Sequence, residues 1–238
     1  MIKLENITVT YSEKKIFDNF TGSFEFNNLN VLIGKNGIGK STLLDVISNL
    51  TPLDSGTLKN IPELNNIMYM FQSTPFNTNI TVTQLLEMYK AFGRETSFNF
   101  YNIKNIKDFF QENILPISKQ TLGKLSGGEI KLVFTYASAM VLKKLYLFDE
   151  PLSGVDIENQ EKIVKLLEDL GKKVPVIITS HELEPFKGID STLKYISSKN
   201  FLFTGSYDNL IEKYGSNPNV AFLNLTKKMR GENNEYYS

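Results

Sequence analysis

Apolar and polar positions alternate across residues 4–9, the mark of a half-buried strand. Residues 29–33, LNVLI, are apolar apart from Asn30, and a glycine-rich loop follows at once. Residues 40–50 then carry a helical pattern that Thr51-Pro52 stops. The order is strand, glycine-rich loop, helix. Residues 67–71 form another apolar strand, ending at Gln72.

Beyond Gln72 the pattern turns helical. Thr81 and Gln84 stand at the spacing of a capping box, and Val82, Leu85, Leu86, Tyr89 and Phe92 share one face of the helix it would start. Gly93 closes that helix, and residues 98–117 predict a second helical element. Residues 73–125 therefore predict a mainly helical insertion. With the helix that opens near Gly127, a helical subdomain spans approximately 73–140. Strand and helix then alternate again: a buried strand at 145–148, a helix over 157–170 stopped by Gly171, and strands at 174–179, 193–196 and 201–203. No internal repeat is visible. Residues 227–238, KKMRGENNEYYS, are polar and predict a frayed tail.

A chain of 238 residues suits one large α/β domain over 1–238 and suffices for a sizeable core. Lys and Arg number 26, as do Asp and Glu. That balance lacks the basic surplus of a general nucleic-acid binder, so no nucleic-acid partner is expected. The absence of cysteine excludes disulfides and thiolate metal sites. The first residues lack the apolar core of a signal peptide. The longest apolar stretch, 132–142, falls short of the roughly 20 residues a bilayer span needs. It also contains Thr, Tyr and Ser, and two lysines follow it, so it reads as a buried helix. Any membrane-spanning part must then come from a separate chain.

Gly34-x-x-x-x-Gly39-Lys40-Ser41 is a complete phosphate-binding loop, placed after a strand and before a helix as its mechanism requires. Its glycines let backbone N–H groups curl inward around phosphate oxygens, and the helix start adds partial positive charge. Lys40 would hold the β- and γ-phosphates, and the Ser41 hydroxyl would ligate Mg²⁺. Residues 145–150, LYLFDE, end a buried strand in two acids; Asp149 there can reach a magnesium ion, and Glu150 can orient or deprotonate water. Ser126-Gly127-Gly128-Glu129 is both a capping box before an apolar helix and an anion-binding helix start. His181, the only histidine, follows the strand at 174–179, where ligand-facing residues gather. Tyr11, after the first strand, can stack on a base.

The order of phosphate loop, Gln72, LSGGE, hydrophobic strand with Asp149-Glu150, Ser153-Gly154-Val155-Asp156 and His181 resembles the nucleotide-binding domain of the ATP-binding cassette (ABC) ATPases, over nearly the whole chain. The resemblance implies an α/β P-loop NTPase with a RecA-like core, an N-terminal antiparallel β part and a helical signature subdomain. By position it implies Tyr11 on adenine, and Gly34, Asn36, Gly37, Gly39, Lys40, Ser41 and Thr42 in the phosphate loop. It implies Gln72 sensing Mg²⁺ and γ-phosphate, Asp149 at the metal, Glu150 as catalytic carboxylate and His181 as switch histidine. Ser126, Gly127 and Gly128 resemble the signature that acts on the nucleotide of an opposite protomer, and residues 153–156 resemble the loop at that dimer interface. Glu129 stands where Gln is commonest, Ile130-Lys131 follows where many members have a more polar run, Asn27-Asn28-Leu29-Asn30 stands where many turn through Gly-Glu, and SGVD where SALD or SGLD is usual; no departure removes a catalytic group.

The expected cofactors are ATP and Mg²⁺, and the expected partners a second cassette, a homodimer in the simplest case, and a separate permease. The chain would then sit in the cytoplasm, peripheral on the inner face of the membrane, as a transporter motor. Residues 220–226, VAFLNLT, resemble tails of exporter-type subunits, so export is the expected direction. A soluble, non-transport ABC ATPase of assembly or scaffold type is the alternative.

Overall fold

The computed structural model describes residues 1–11, 13–73, 75–92, 106–215, 217, 220–221, 223–225 and 227. Two sheets organise it. The strands β1 (Ile2–Tyr11), β2 (Lys14–Phe24) and β4 (Ser55–Lys59) form an antiparallel sheet in the order β2-β1-β4. The second sheet has six strands: β3 (Leu29–Ile33), β5 (Ile67–Met70), β6 (Leu145–Phe148), β7 (Val176–Ser180), β8 (Ser191–Ile196) and β9 (Phe201–Gly205). Their order is β5-β6-β7-β3-β8-β9, parallel except for the last pair.

The central strands read as unbroken apolar runs because both their faces are buried. Alternation still assigns each side chain. Val31, Tyr146, Phe148, Val176 and Ile178 join the core beneath the helices α4 (Gly127–Ala139) and α5 (Ile157–Gly171). Leu32, Leu145, Leu147 and Ile177 join the opposite core, against α1 (Lys40–Ile47) and the antiparallel sheet. Asn30, fully buried in β3, is accommodated because its side chain bonds the Glu25 N–H and carbonyl and the carbonyls of Asn28 and Val176.

β2 escapes a periodicity reading for a structural reason. Its buried phenylalanines, Phe17, Phe20 and Phe24, are three and four residues apart, the spacing of a helix face. Bulges make this possible: the register with β1 shifts between Ile7 and Val9, and Asn19 takes φ 53°. Phe17 and Phe20 lie 5.1 Å apart between centroids, and Phe201 packs edge-on against Phe20 at 5.2 Å. Such pairs add about 0.5–1.5 kcal/mol beyond burial.

α2 (Val82–Phe92) starts at the expected box, with the Thr81 N–H donating to Gln84 Oε1 at 2.8 Å and the Gln84 N–H to Thr81 Oγ1 at 3.2 Å. The expected stop at Gly93 and the first part of the 98–117 element lie outside the described residues. From Ile106 a short helix α3 (Ile106–Phe109) passes into a wide turn over Phe110–Ile114 and a tight one over Leu115–Ile117. A last helix, α6 (Tyr207–Tyr214), follows β9. Of the tail at 227–238 only Lys227 is described. Among the described residues no helix is long and apolar enough to cross a membrane.

Candidate functional site

Four neighbouring parallel strands end at one edge of the large sheet. β5 leads to Gln72, β6 to Asp149 and Glu150, β7 to His181, and β3 to Gly34. Each strand leaves the core there, so polar side chains first become tolerable at that edge. Asn36, Gly37, Gly39, Lys40, Ser41, Thr42, Gln72, Glu150, Ser153 and His181 consequently line one cleft of about 480 Å³, joined by Ile16 of β2.

The loop between β3 and α1 needs its glycines. Gly37 has φ 77° and Gly39 φ 110°, and a Cβ on Gly39 would stand 2.6 Å from Ile16 Cγ2. Past Gly39 the chain turns helical, and the first N–H groups of α1 have no intrahelical acceptor. The Lys40 ammonium is 6% exposed; it donates to the Gly34 carbonyl at 2.9 Å and lies 3.3 Å from Glu150 Oε1.

Glu150 takes φ 48°, a left-handed conformation costing about 1–3 kcal/mol in a non-glycine residue. Its surroundings hold it there. The Glu150 N–H donates to Thr179 Oγ1 at 2.7 Å, and the Thr179 hydroxyl donates to Asp149 Oδ1 at 2.6 Å. Glu150 Oε2 meets His181 Nδ1 at 2.8 Å. One carboxylate thus joins the phosphate-loop lysine to the histidine. The Asp149 N–H donates to the Met70 carbonyl at 2.9 Å, linking β6 to the end of β5.

Other expected residues stand elsewhere. Ser126 caps α4 reciprocally with Glu129, its N–H donating to Glu129 Oε2 at 2.7 Å. Ser126 and Gly127 are exposed and, like Gly128, are not among the residues lining the cleft. Gly128 packs so closely on the loop before α5 that a Cβ would stand 2.5 Å from Asp156 Oδ2. Tyr11, 63% exposed, ends β1 across the hairpin from Lys14 and does not line the cleft either.

Three participants escaped the motif search. Ile16 lines the cleft, and its only sequence signal is a place in an unrecognised strand. Thr179 links Asp149 to Glu150, and its only signal was a hydroxyl late in the buried run VIITS. Lys131 donates to the Gln72 carbonyl at 2.7 Å. Burial pulls Lys131 below the ordinary lysine range, while the Asp149 and Glu150 carboxylates favour its charged form.

Anionic phosphate suits this lining: a buried ammonium, a glycine-rich loop and an open helix start meet in one place. For a metal, the described residues contain no group of three or more His, Cys, Asp or Glu that could form a cage. The Ser41 hydroxyl and the Asp149 carboxylate offer the sparse set that suits Mg²⁺, an ion that keeps waters and takes phosphate oxygens as its remaining ligands.

A family model described as ABC transporter matches residues 17–153. The zinc import ATP-binding protein ZnuC of Pasteurella multocida is 30% identical over 190 residues, covering 77% of this chain and 68% of its own. ZnuC of Wigglesworthia glossinidia brevipalpis is 32% identical, with 77% of each chain covered. The manganese transport system ATP-binding protein MntB of Listeria innocua is 28% identical, over 76% of this chain and 79% of its own. Among solved structures, the ADP conformation of an ATP-binding cassette of an ABC transporter superposes with a TM-score of 0.73 at 25% identity, over 92% of this chain and 96% of that one. A putative ABC transporter ATP-binding protein from Pyrococcus furiosus gives 0.68 at 26%, over 82% and 96%. With the phosphate loop, the strand-end acids and the two-sheet architecture in place, the chain belongs to the ABC transporter family, as one of its ATP-binding cassette ATPases.

Proposed function

We propose that this chain is the motor subunit of a transporter that imports a divalent transition-metal ion, acting as a pair of cassettes beneath a separate permease. The observation that carries the chemistry is the array in which the buried Glu150 joins the buried Lys40 to His181 at the phosphate loop. Lys40 and the loop N–H groups bind the β- and γ-phosphates. Glu150 polarises the attacking water, and His181 steadies both. Ser41 and Asp149 would hold Mg²⁺, which supplies charge neutralisation for the transferring phosphoryl group. Tyr11 is assigned to the adenine.

The exposed start of α4 supports a second cassette. Ser126, Gly127 and Gly128 sit outside this chain's own cleft and are assigned to the nucleotide of a partner copy, a homodimer in the simplest arrangement. ATP then joins the two copies while its γ-phosphate is intact. We assign residues 1–238 to a single cassette, with approximately 73–140 as its helical part facing the permease. That places the chain peripherally on the inner face of the membrane.

The relatives point to import: ZnuC is a zinc import protein and MntB serves manganese transport. Export, expected from the tail at 220–226, finds no support among these relatives, and import takes its place. The test is metal accumulation in the native cells. Loss of the chain lowers uptake of radioactive zinc or manganese, and wild type but not Lys40→Ala restores it. A rise on loss would mean export, and unchanged uptake of both ions would sink the metal assignment.

A further inference from the structure

α4 begins at the exposed Ser126-Gly127 corner, and one turn later it bonds a residue that lines the cleft of its own chain. Lys131 makes that link. Its ammonium donates at 2.7 Å to the backbone carbonyl of Gln72, whose residue lines the cleft. One turn further along the same helix face, the Thr135 hydroxyl contacts Met70 Sδ at 3.7 Å, at the end of β5. α4 is thus attached to the β5–Gln72 segment at two points, of which Lys131 is the charged one.

The chemistry of this contact is unusual for a structural lysine. Lys131 is partly buried, yet no carboxylate lies within ion-pair distance of it among the described residues. Its acceptor is a neutral carbonyl, and the acids that favour its charge are Asp149 and Glu150 at the end of β6. A charge-assisted bond is about twice as strong as a neutral one, so the carbonyl is held firmly. Holding the carbonyl restrains Gln72, which lines the same cleft as Glu150 and Ser41.

We propose that Lys131 is a positioning residue for hydrolysis: it ties Gln72 to α4, so that the place taken by the Ser126 end of that helix sets the geometry of the cleft in the same chain. This rests on the ATPase assignment above. Neither the phosphate loop nor the LSGGE motif assigns Lys131 a role.

Lys131→Met keeps length and helix propensity and removes the charge; Lys131→Arg restores a cationic donor. Wild type and both variants are compared for kcat and KM with ATP, for binding of a fluorescent ATP analogue, and for melting temperature. The Met variant is expected to lose about tenfold in kcat, the loss matching one charged hydrogen bond, with KM and analogue affinity within about twofold. The Arg variant is expected to recover to within about threefold of wild type. Hydrogen exchange of the amides at 71–73 gives a readout independent of turnover, and Lys131→Met should quicken it while leaving β6 and α1 unchanged. Wild-type kcat and exchange in the Met variant overturn the proposal. So does a kcat loss matched by equal loss of affinity and melting temperature that Arg does not correct, which makes Lys131 a packing residue. Failure of the wild-type protein to bind the analogue would instead overturn the ATPase assignment.

Discussion

Replacing Glu150 by Gln should move two measurements in opposite directions. The Lys40 and Glu150 side chains are 6% and 9% exposed and lie 3.3 Å apart, so phosphate oxygens must compete with this carboxylate for the ammonium. A carboxamide keeps the shape and one acceptor oxygen but gives up the charge. Losing that competitor is worth about 1–2 kcal/mol, or roughly 5–30-fold tighter ATP binding. The same change removes the group assigned to polarise water, at a cost of about 10²–10⁴ in turnover. His181 Nδ1, 2.8 Å from Glu150 Oε2, still finds a polar partner, so the fold is kept. Fluorescent nucleotide titration and phosphate release read the two effects separately, and size-exclusion chromatography with ATP should show a lasting dimer. Turnover at the wild-type rate would remove Glu150 from the chemistry. Weaker ATP binding would refute the competition argument, because a merely damaged site loses both properties together.

Lys40→Ala deletes the buried ammonium of the phosphate loop, and nucleotide titration should show affinity lost by at least about tenfold, as expected for a charged bond. Thr179→Val preserves volume but strands the Glu150 N–H, which costs about 1–3 kcal/mol; calorimetry should show several degrees lost, and phosphate release should fall with it. Ser126→Ala breaks the α4 cap, worth about 1 kcal/mol or roughly 2–4 °C, while ATP affinity of the single subunit stays unchanged because Ser126 lies outside its own cleft. Weakened binding in the monomer would place Ser126 in that cleft after all. Burial pushes Glu168 up, but Lys165, the Asp190 N–H and Lys172 outweigh it and hold its carboxyl below the usual value of 4.5. A depressed carboxyl stabilises the fold above that value and loses its contribution as pH falls through the folded one. Glu168→Gln should therefore melt below wild type at neutral pH, with the gap closing as pH drops below 4.5.

The large sheet was legible because its physics is local. A strand buried on both faces must be apolar throughout, and Leu145–Phe148 and Leu29–Ile33 announce themselves in that way. The antiparallel sheet was not. β2 hides behind bulges that give its phenylalanines a helical spacing, and β4, SGTLK, is almost wholly exposed and has little apolar signal to offer. The turns over Phe110–Ile117 replace what periodicity takes for a continued helix, with Pro116 at the start of the last turn.

The site divides along the same line. Polar groups become tolerable where an apolar strand ends, so Gln72, Asp149 and His181 are marked by the sudden arrival of polarity after a hydrophobic run. The residues that aim them carry no such mark. Thr179 acts across 30 positions on Asp149, and Lys131 across 59 on Gln72. Each is an ordinary residue in an ordinary element until folding brings its partner within 3 Å. Both act on groups whose own geometry is demanding: a left-handed Glu150 and an exposed Gln72 that must nonetheless face the cleft. A strained or exposed catalytic group stays in place only if distant segments hold it, so the harder a motif residue is to position, the less of its support can lie within the motif.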